Sequence, residues 1–368
     1  MAEKKIDFTT KEVDKNMLFE TKVTEPDVKF HSVKEDPFDI YGLYEPKDHD
    51  LFIRMPTEVA KSVNDDVLYL SEMPSGARVR FCTDSQYIGF RVIVPKIRYM
   101  AHMPLSGSVG FDVFVDCESN YESRFVGAVR PTFNDVGGYE GIVRFKNREK
   151  RYITINFPSY NKVSELYLGL QEDATLEHGL KYRNEKPVVF YGSSITQGGC
   201  ASRPGNNFIN IISRRLNLDV VNLGFSGSAK AEPEMVEYLS NLDMSVFVCD
   251  YDNNAPSAEY LEKTHFALYE KFRAKNPTTP IIMATRPNYD RDPDISDKRN
   301  SVIYDSFRKA LALGDQNVYF LDGSRIFKGR DRDISTVDGS HPNDFGFVLM
   351  ANAFEDVILR IINDKKLY

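Results

Sequence analysis

The sequence has no tryptophan, only four cysteines, and no apolar run near the ~18 residues that a membrane span requires. Cys82, Cys117, Cys200 and Cys249 are scattered, with no two close enough in sequence to form a metal-binding or redox pair. Structural thiols in a reducing compartment are therefore expected. The opening stretch, Met1-Ala-Glu-Lys-Lys-Ile-Asp, mixes charges from the start and never enters the apolar stretch of a signal peptide, so a cytoplasmic location is expected. Basic charge is also in short supply. Lys and Arg number 47 against 54 Asp and Glu, a net charge of -7, which repels a phosphate backbone. The short clusters Lys146 to Arg151 and Lys328 to Arg332 are interrupted by acidic or polar residues and read as solvated loops. Neither a nucleic acid nor a membrane is expected as a partner, and the number of subunits stays open, a homo-oligomer included. Gly-x-Ser-x-Gly, the phosphate loop, the dinucleotide fingerprint and zinc spacings are all missing, so no cofactor or metal is expected.

What is present divides into two halves. A chain of 368 residues exceeds the ~250 at which single cores stop growing. From about Val67 to Leu170 apolar residues alternate with a period of two, as in Ile88, Phe90, Val92 and Val94, in Ile153, Ile155 and Phe157, and in Leu166, Leu168 and Leu170. Pro74-Ser75-Gly76, Ser106-Gly107-Ser108 and Gly137-Gly138 supply turns between them. An all-β, jelly-roll-like sandwich is predicted, its domain spanning residues 1–180. After Lys181 the pattern becomes short buried strands, Val188 to Tyr191, Val220 to Leu223, Ser245 to Asp250, Ile281 to Ala284 and Val318 to Leu321. Helical stripes separate them, among them Leu261, His265, Leu268 and Phe272. Five strands and five helices predict a three-layer α/β/α domain over residues 181–368.

In such a sheet, ligands bind outside the carboxyl ends of the strands. The first strand ends in Tyr191-Gly192-Ser193-Ser194-Ile195-Thr196-Gln197-Gly198, the second in Asn222-Leu223-Gly224-Phe225-Ser226-Gly227-Ser228, and the third in Asp250-Tyr251-Asp252-Asn253-Asn254-Ala255-Pro256; Asp338-Gly339-Ser340-His341-Pro342 precedes the last helix. These four blocks, in this order over about 180 residues, resemble the SGNH (GDSL-type) serine esterase family, and the likeness implies a flavodoxin-like catalytic domain. Carried over by position, the nucleophile falls on Ser194, the glycine on Gly227, and the acid and base on Asp338 and His341. The family's asparagine falls on Asn254, with Asn253 as the alternative, because the chain departs here from the usual Gly-x-Asn-Asp. Ser193 stands where the family has an aspartate, a change expected to alter local hydrogen bonds more than the mechanism.

The chemistry fits the residue types. A serine hydroxyl needs a base within hydrogen-bond reach, and an imidazole, with an unperturbed pKa near ~6.5, supplies one. Three residues apart on a turn entering a helix, Asp338 can hold one ring nitrogen of His341 while the other faces Ser194. Backbone N–H groups of Ser194 and Gly227 with the Asn254 amide would receive the oxyanion, each donor worth ~2.7 to 4 kcal/mol. Taken singly, each block has an ordinary reading as loop, cap or turn; their common order within one domain favours catalysis.

Of the other histidines, His265 reads as a core residue, while His31, His49 and His178 read as surface positions. His102, with Met103 beside it, belongs to a sandwich loop that could reach the site and is a candidate substrate contact. Glu232 and Glu234 suit a helix start better than a catalytic carboxylate pair. The resemblance implies ester hydrolysis through an acyl-enzyme. The added sandwich is similar to that of carbohydrate esterases, which makes an O-acetylesterase on sugars or oligosaccharides the expectation. A short-chain lipid or general acyl esterase is the first alternative, and a glycan-binding protein with an inactive hydrolase domain is the second.

Overall fold

The computed structural model describes residues 19–365 and 367. The charged N-terminal stretch and the first part of the expected 1–180 domain lie outside the described residues, as do the side chains of Arg330 and Asp331 in the basic stretch near Lys328. The first region contains β1 (Val28–Ser32), β2 (Asp39–Tyr41), β3 (Arg78–Thr83), β4 (Tyr87–Ile93), β5 (Phe111–Asp116), β6 (Ser123–Val129), β7 (Gly138–Arg144), β8 (Arg151–Asn156), β9 (Glu165–Gln171) and β10 (Leu176–His178). They pair antiparallel in two sheets, ordered β1-β9-β4-β7 and β10-β3-β8-β5-β6, with β2 also paired to β3. Val79, Phe81, Phe111 and Ile155 of the second sheet meet Ile88, Phe90, Val92 and Leu168 of the first in one core. Inward alternation of this kind is what a two-layer sandwich needs.

Several elements escape the period-of-two pattern. Edge strand β1 alternates only briefly, Val28 and Phe30 against Lys29 and His31, and precedes the Val67–Leu170 stretch, while edge strand β6 (Ser-Arg-Phe-Val-Gly-Ala-Val) has no regular alternation. Helices α1 (Thr57–Val63) and α2 (Asp65–Ser71) precede β3, joined at Asn64, whose side chain accepts from Val67 N at 2.9 Å and caps the second helix. The expected turn at Ser106-Gly107-Ser108 is one turn of helix, α3 (Leu105–Ser108). Glycine is required within it because a Cβ on Gly107 would come within 2.1 Å of the Ala201 carbonyl oxygen.

In the second region, β11 (Val188–Gly192), β12 (Val220–Gly224), β13 (Val246–Asp250), β14 (Ile281–Ala284) and β15 (Val318–Leu321) run parallel in the order β12-β11-β13-β14-β15. This doubly wound arrangement reverses at β11 and opens a crevice at its carboxyl end. One face is covered by α5 (Phe208–Leu216) and α9 (Asp344–Lys365), the other by α6 (Pro233–Asn241), α7 (Ala258–Lys275) and α8 (Pro293–Ala312). A single turn, α4 (Ser194–Gln197), follows β11 and adds a sixth helix to the five expected. Among the described residues, no helix is long and apolar enough to cross a membrane.

The two regions share a core. Met55, Val67, Leu70, Met73 and Tyr160 from the first half pack in one cluster with Tyr191, Leu223, Met235 and Phe247 from the second. At the seam, Arg54 is 1% exposed and has no carboxylate partner among the described residues. Its guanidinium donates at 2.7 Å to the carbonyls of Leu70, Met73, Asn222 and Gly224 and lies 4.7 Å from the Phe225 ring centroid. Burial draws its pKa down to about 9, which leaves it charged at neutral pH. Arg54→Ala would strand those carbonyls, and a loss on the order of 4 kcal/mol is expected in chemical denaturation. Residues 181–368 expressed alone should expose the shared core and aggregate; a soluble, cooperatively melting fragment would contradict this.

Candidate active site

Ser194 opens α4 at the carboxyl end of β11, the strand where the sheet order reverses. Ser193 caps this turn, its Oγ accepting from Ile195 N at 3.2 Å. The residue that departs from the family pattern thus keeps a local role in starting the helix. Ser194 Oγ lies 2.9 Å from His341 Nε2, and His341 Nδ1 lies 2.7 Å from Asp338 Oδ2. With the ring proton on the Asp338 side, Nε2 is left to accept from the serine hydroxyl.

The loop that presents the acid and imidazole is closed by an antiparallel bridge between Thr336 and Pro342 and by Val337 N donating to His341 O at 2.9 Å. Within it, Asp338 Oδ1 accepts from the amides of Ser340 and His341 at 2.9 and 2.8 Å. Partial burial opposes ionisation, but these amides and the His341 ring outweigh it and bring Asp338 down to about 2. Asp338 therefore stays ionised, its bond to His341 fully present above the ordinary carboxylate range and lost only as pH falls through about 2.

Gly227 has φ +72, and a Cβ built on it would meet nothing within 4 Å. Backbone conformation demands glycine here, and the space in front of it is open. Asn254 ends a 3-10 turn after β13, and its Nδ2 donates to Phe225 O at 2.6 Å, two residues before Gly227. That contact brings Asn254 against the glycine loop and leaves its second amide proton for another acceptor. The turn itself is braced by Arg299, which pairs with buried Asp252 at 2.7 Å and donates to Ala255 O at 2.6 Å.

The sandwich reaches the same place. His102 is exposed, and its ring centroid lies 6.3 Å from that of His341. Met103 is 4% exposed and packs in the shared core with Tyr160 and Tyr191, so it supports the loop from beneath. That placement corrects the expectation that Met103 faces substrate. His265 is buried, stacked on Tyr251, and pushed down to about 4 by burial, as suits a neutral core residue. Glu232 precedes α6 and accepts from Asn64 Nδ2 at 3.1 Å, away from any carboxylate pair.

Sequence reasoning gave no role at the site to four contributors, two of which, Gln197 and Asp250, stand within the four blocks. Tyr160 Oη donates to Ser194 O at 3.1 Å. Buried Gln197 accepts from Ser226 N at 3.0 Å and donates to Ser159 O at 3.2 Å, linking α4, the glycine loop and the sandwich. Cys200, buried at φ +74, has its thiol pushed up to about 11 by burial and by Asp338. Asp250, at the end of β13, accepts from Thr196 Oγ1 at 3.0 Å and is pushed up to about 8 by burial, with Asp252 adding to the effect.

A parallel α/β sheet with a serine, an imidazole and a carboxylate in one hydrogen-bonded line at its switch point belongs to the hydrolases. Residues 185–359 match the GDSL-like lipase/acylhydrolase family, and residues 28–176 match the N-terminus of SGNH-hydrolase-type esterases. The chain is thus a member of the SGNH (GDSL-type) esterase family, of the two-domain kind with an N-terminal β-sandwich, and is an ester-hydrolysing enzyme. No curated protein matches it. Among solved structures, a putative GDSL-like lipase from Bacteroides ovatus superposes with TM-score 0.81 at 24% identity over 91% of this chain and 98% of that one. The salicylyl-acyltransferase SsfX3 from a tetracycline biosynthetic pathway gives 0.74 at 20% identity over 92% and 99%. A family two carbohydrate esterase from Clostridium thermocellum, in complex with cellohexaose, gives 0.58 at 15% identity over 80% and 94%. All three share the fold.

Asp250 generates a test. The folded chain keeps its proton from the ordinary carboxylate range up to about 8, whereas the unfolded chain releases it near 3.8. Stability should therefore fall as pH rises through that window. Asp250→Asn should flatten the slope, measured as melting temperature between pH 5 and about 9; an unchanged profile would show that Asp250 ionises normally.

Proposed function

We propose that the protein is an O-acetylesterase that removes acetyl groups from sugars or oligosaccharides, with Ser194 as nucleophile, His341 as general base and Asp338 as the group that orients the ring. The observation that carries the reading is the unbroken line from Asp338 through His341 to Ser194, with contacts of 2.7 and 2.9 Å. Ser194 Oγ attacks the acyl carbon while its proton moves to Nε2, and the leaving alcohol takes that proton. Water then adds to the acyl-enzyme with its proton passing to the same nitrogen, and Ser194 regains a proton as acetate departs. The N–H groups of Ser194 and Gly227 and the second amide proton of Asn254 would donate to the developing oxyanion. His102 would face the leaving alcohol from the sandwich side.

Support for the substrate class comes from fold neighbours, among them the carbohydrate esterase described above and an acetyl xylan esterase, Est2A, from Butyrivibrio proteoclasticus (TM-score 0.59, 12% identity, 93% of this chain). A second reading is favoured by the higher TM-score to an acyltransferase. In it, an acceptor hydroxyl replaces water in the second step.

Ser194→Ala should abolish release of acetate from acetylated sugars while leaving the melting temperature close to wild type. Asn254→Ala should lower kcat by about 10²–10³ with a smaller change in KM. Rates that climb with acyl chain length across p-nitrophenyl esters would favour a lipid or general acyl esterase, and acyl products formed on an added alcohol faster than acetate would favour the transferase.

A further inference from the structure

The loop that brings His102 to His341 carries a second exposed feature. Tyr99 and Phe133 are 49% and 63% exposed, and their rings stack at 5.8 Å with 26° between planes. Tyr99 Oη donates to the carbonyls of Phe133 and Asp135 at 3.0 and 3.3 Å, which pins the pair in one orientation. Ile97 N donates to Val136 O at 3.2 Å, so the two segments that hold the rings are themselves joined. Val136, 73% exposed, extends the surface. Tyr99 and His102 are three positions apart, a reach of at most about 11 Å.

Two rings stacked on each other and held by hydrogen bonds offer an aromatic face without the entropy of ordering loose side chains. A stable protein interface takes about 20–30 residues a side, far more than this ring pair presents. A sugar ring, with C–H groups on one face and hydroxyls around its rim, matches an outward face of the stack. Charged Lys96, Arg98 and Asp135 flank them in sequence and can serve the rim hydroxyls.

We propose that Tyr99 and Phe133 form a distal glycan subsite that holds sugar units beyond the acetylated one, so that the enzyme acts preferentially on oligosaccharides. The inference rests on the deacetylase reading and deepens it. The chain of the substrate leaves Ser194, passes His102 and lies across the ring pair, and the sandwich thereby sets the length of glycan the enzyme prefers.

The test uses the full chain and the double variant Tyr99→Ala with Phe133→Ala, both at exposed positions. For acetylated xylotetraose the variant's KM should rise about tenfold, while kcat/KM on an acetylated methyl xyloside stays within about twofold of wild type. Equal effects on both sugars, or none, would overturn the subsite. So would a defect that appears only with longer acyl chains. A binding arm separates this inference from the catalytic one. Ser194→Ala protein should retard on gels containing unacetylated xylan, and the retardation should vanish when the two rings are also removed. Retention without hydrolysis by wild type would keep the subsite and sink the deacetylase; hydrolysis without ring-dependent retention or length preference would do the reverse.

Discussion

A single buried cation holds the glycine loop where it stands. Arg54 comes from the sandwich half, yet two of its four carbonyl acceptors, Asn222 and Gly224, form the last turn of β12 before Gly227. A guanidinium without a carboxylate is costly to bury, and here the cost is offset by carbonyl dipoles converging from both halves. Because the donors are fixed in one plane, the carbonyls are fixed too. Phe225, stacked beneath the charge, offers its own carbonyl to Asn254. One side chain from the first domain thus sets the spacing of two groups in the second.

Around Ser194, carboxyl groups are sorted by environment. Asp338, partly exposed and met by two amides and a ring N–H, keeps its negative charge. Asp250, buried under α4 with a threonine hydroxyl for company, keeps its proton at neutral pH. In the proposed mechanism the contrast matters: an ionised group beneath Ser194 would oppose charge developing on the substrate oxygen, whereas one behind His341 would stabilise the imidazolium. Arg299 neutralises the remaining acid, Asp252, by direct pairing.

Much of the α/β half could be read from residues alone. Ile281–Ala284 ends where its apolar run ends, because a strand buried on both faces has no polar positions to blur its limits. The four blocks were visible for a similar reason: each sits at a strand end or helix start that the pattern marks. Edge strands β1 and β6 were not, since β1 offers only Val28 and Phe30 in alternation and β6 mixes apolar, polar and glycine residues without a period. The roles of Tyr160, Gln197 and Arg54 were invisible because they depend on burial and on contacts that span 29 to 168 residues of chain, and neither leaves a local trace. The same limit hid the burial of Met103, whose neighbour His102 points the other way.

The cluster that runs from Met55 and Val67 through Tyr191 to Phe247 has a mechanical consequence. Two bodies that share their greasy interior have no plane along which to part without wetting it, so the cleft mouth is a fixed aperture. Traffic of ester and alcohol past His102 must then rely on side chains and short loops swinging aside, on a timescale far quicker than any hinge would permit.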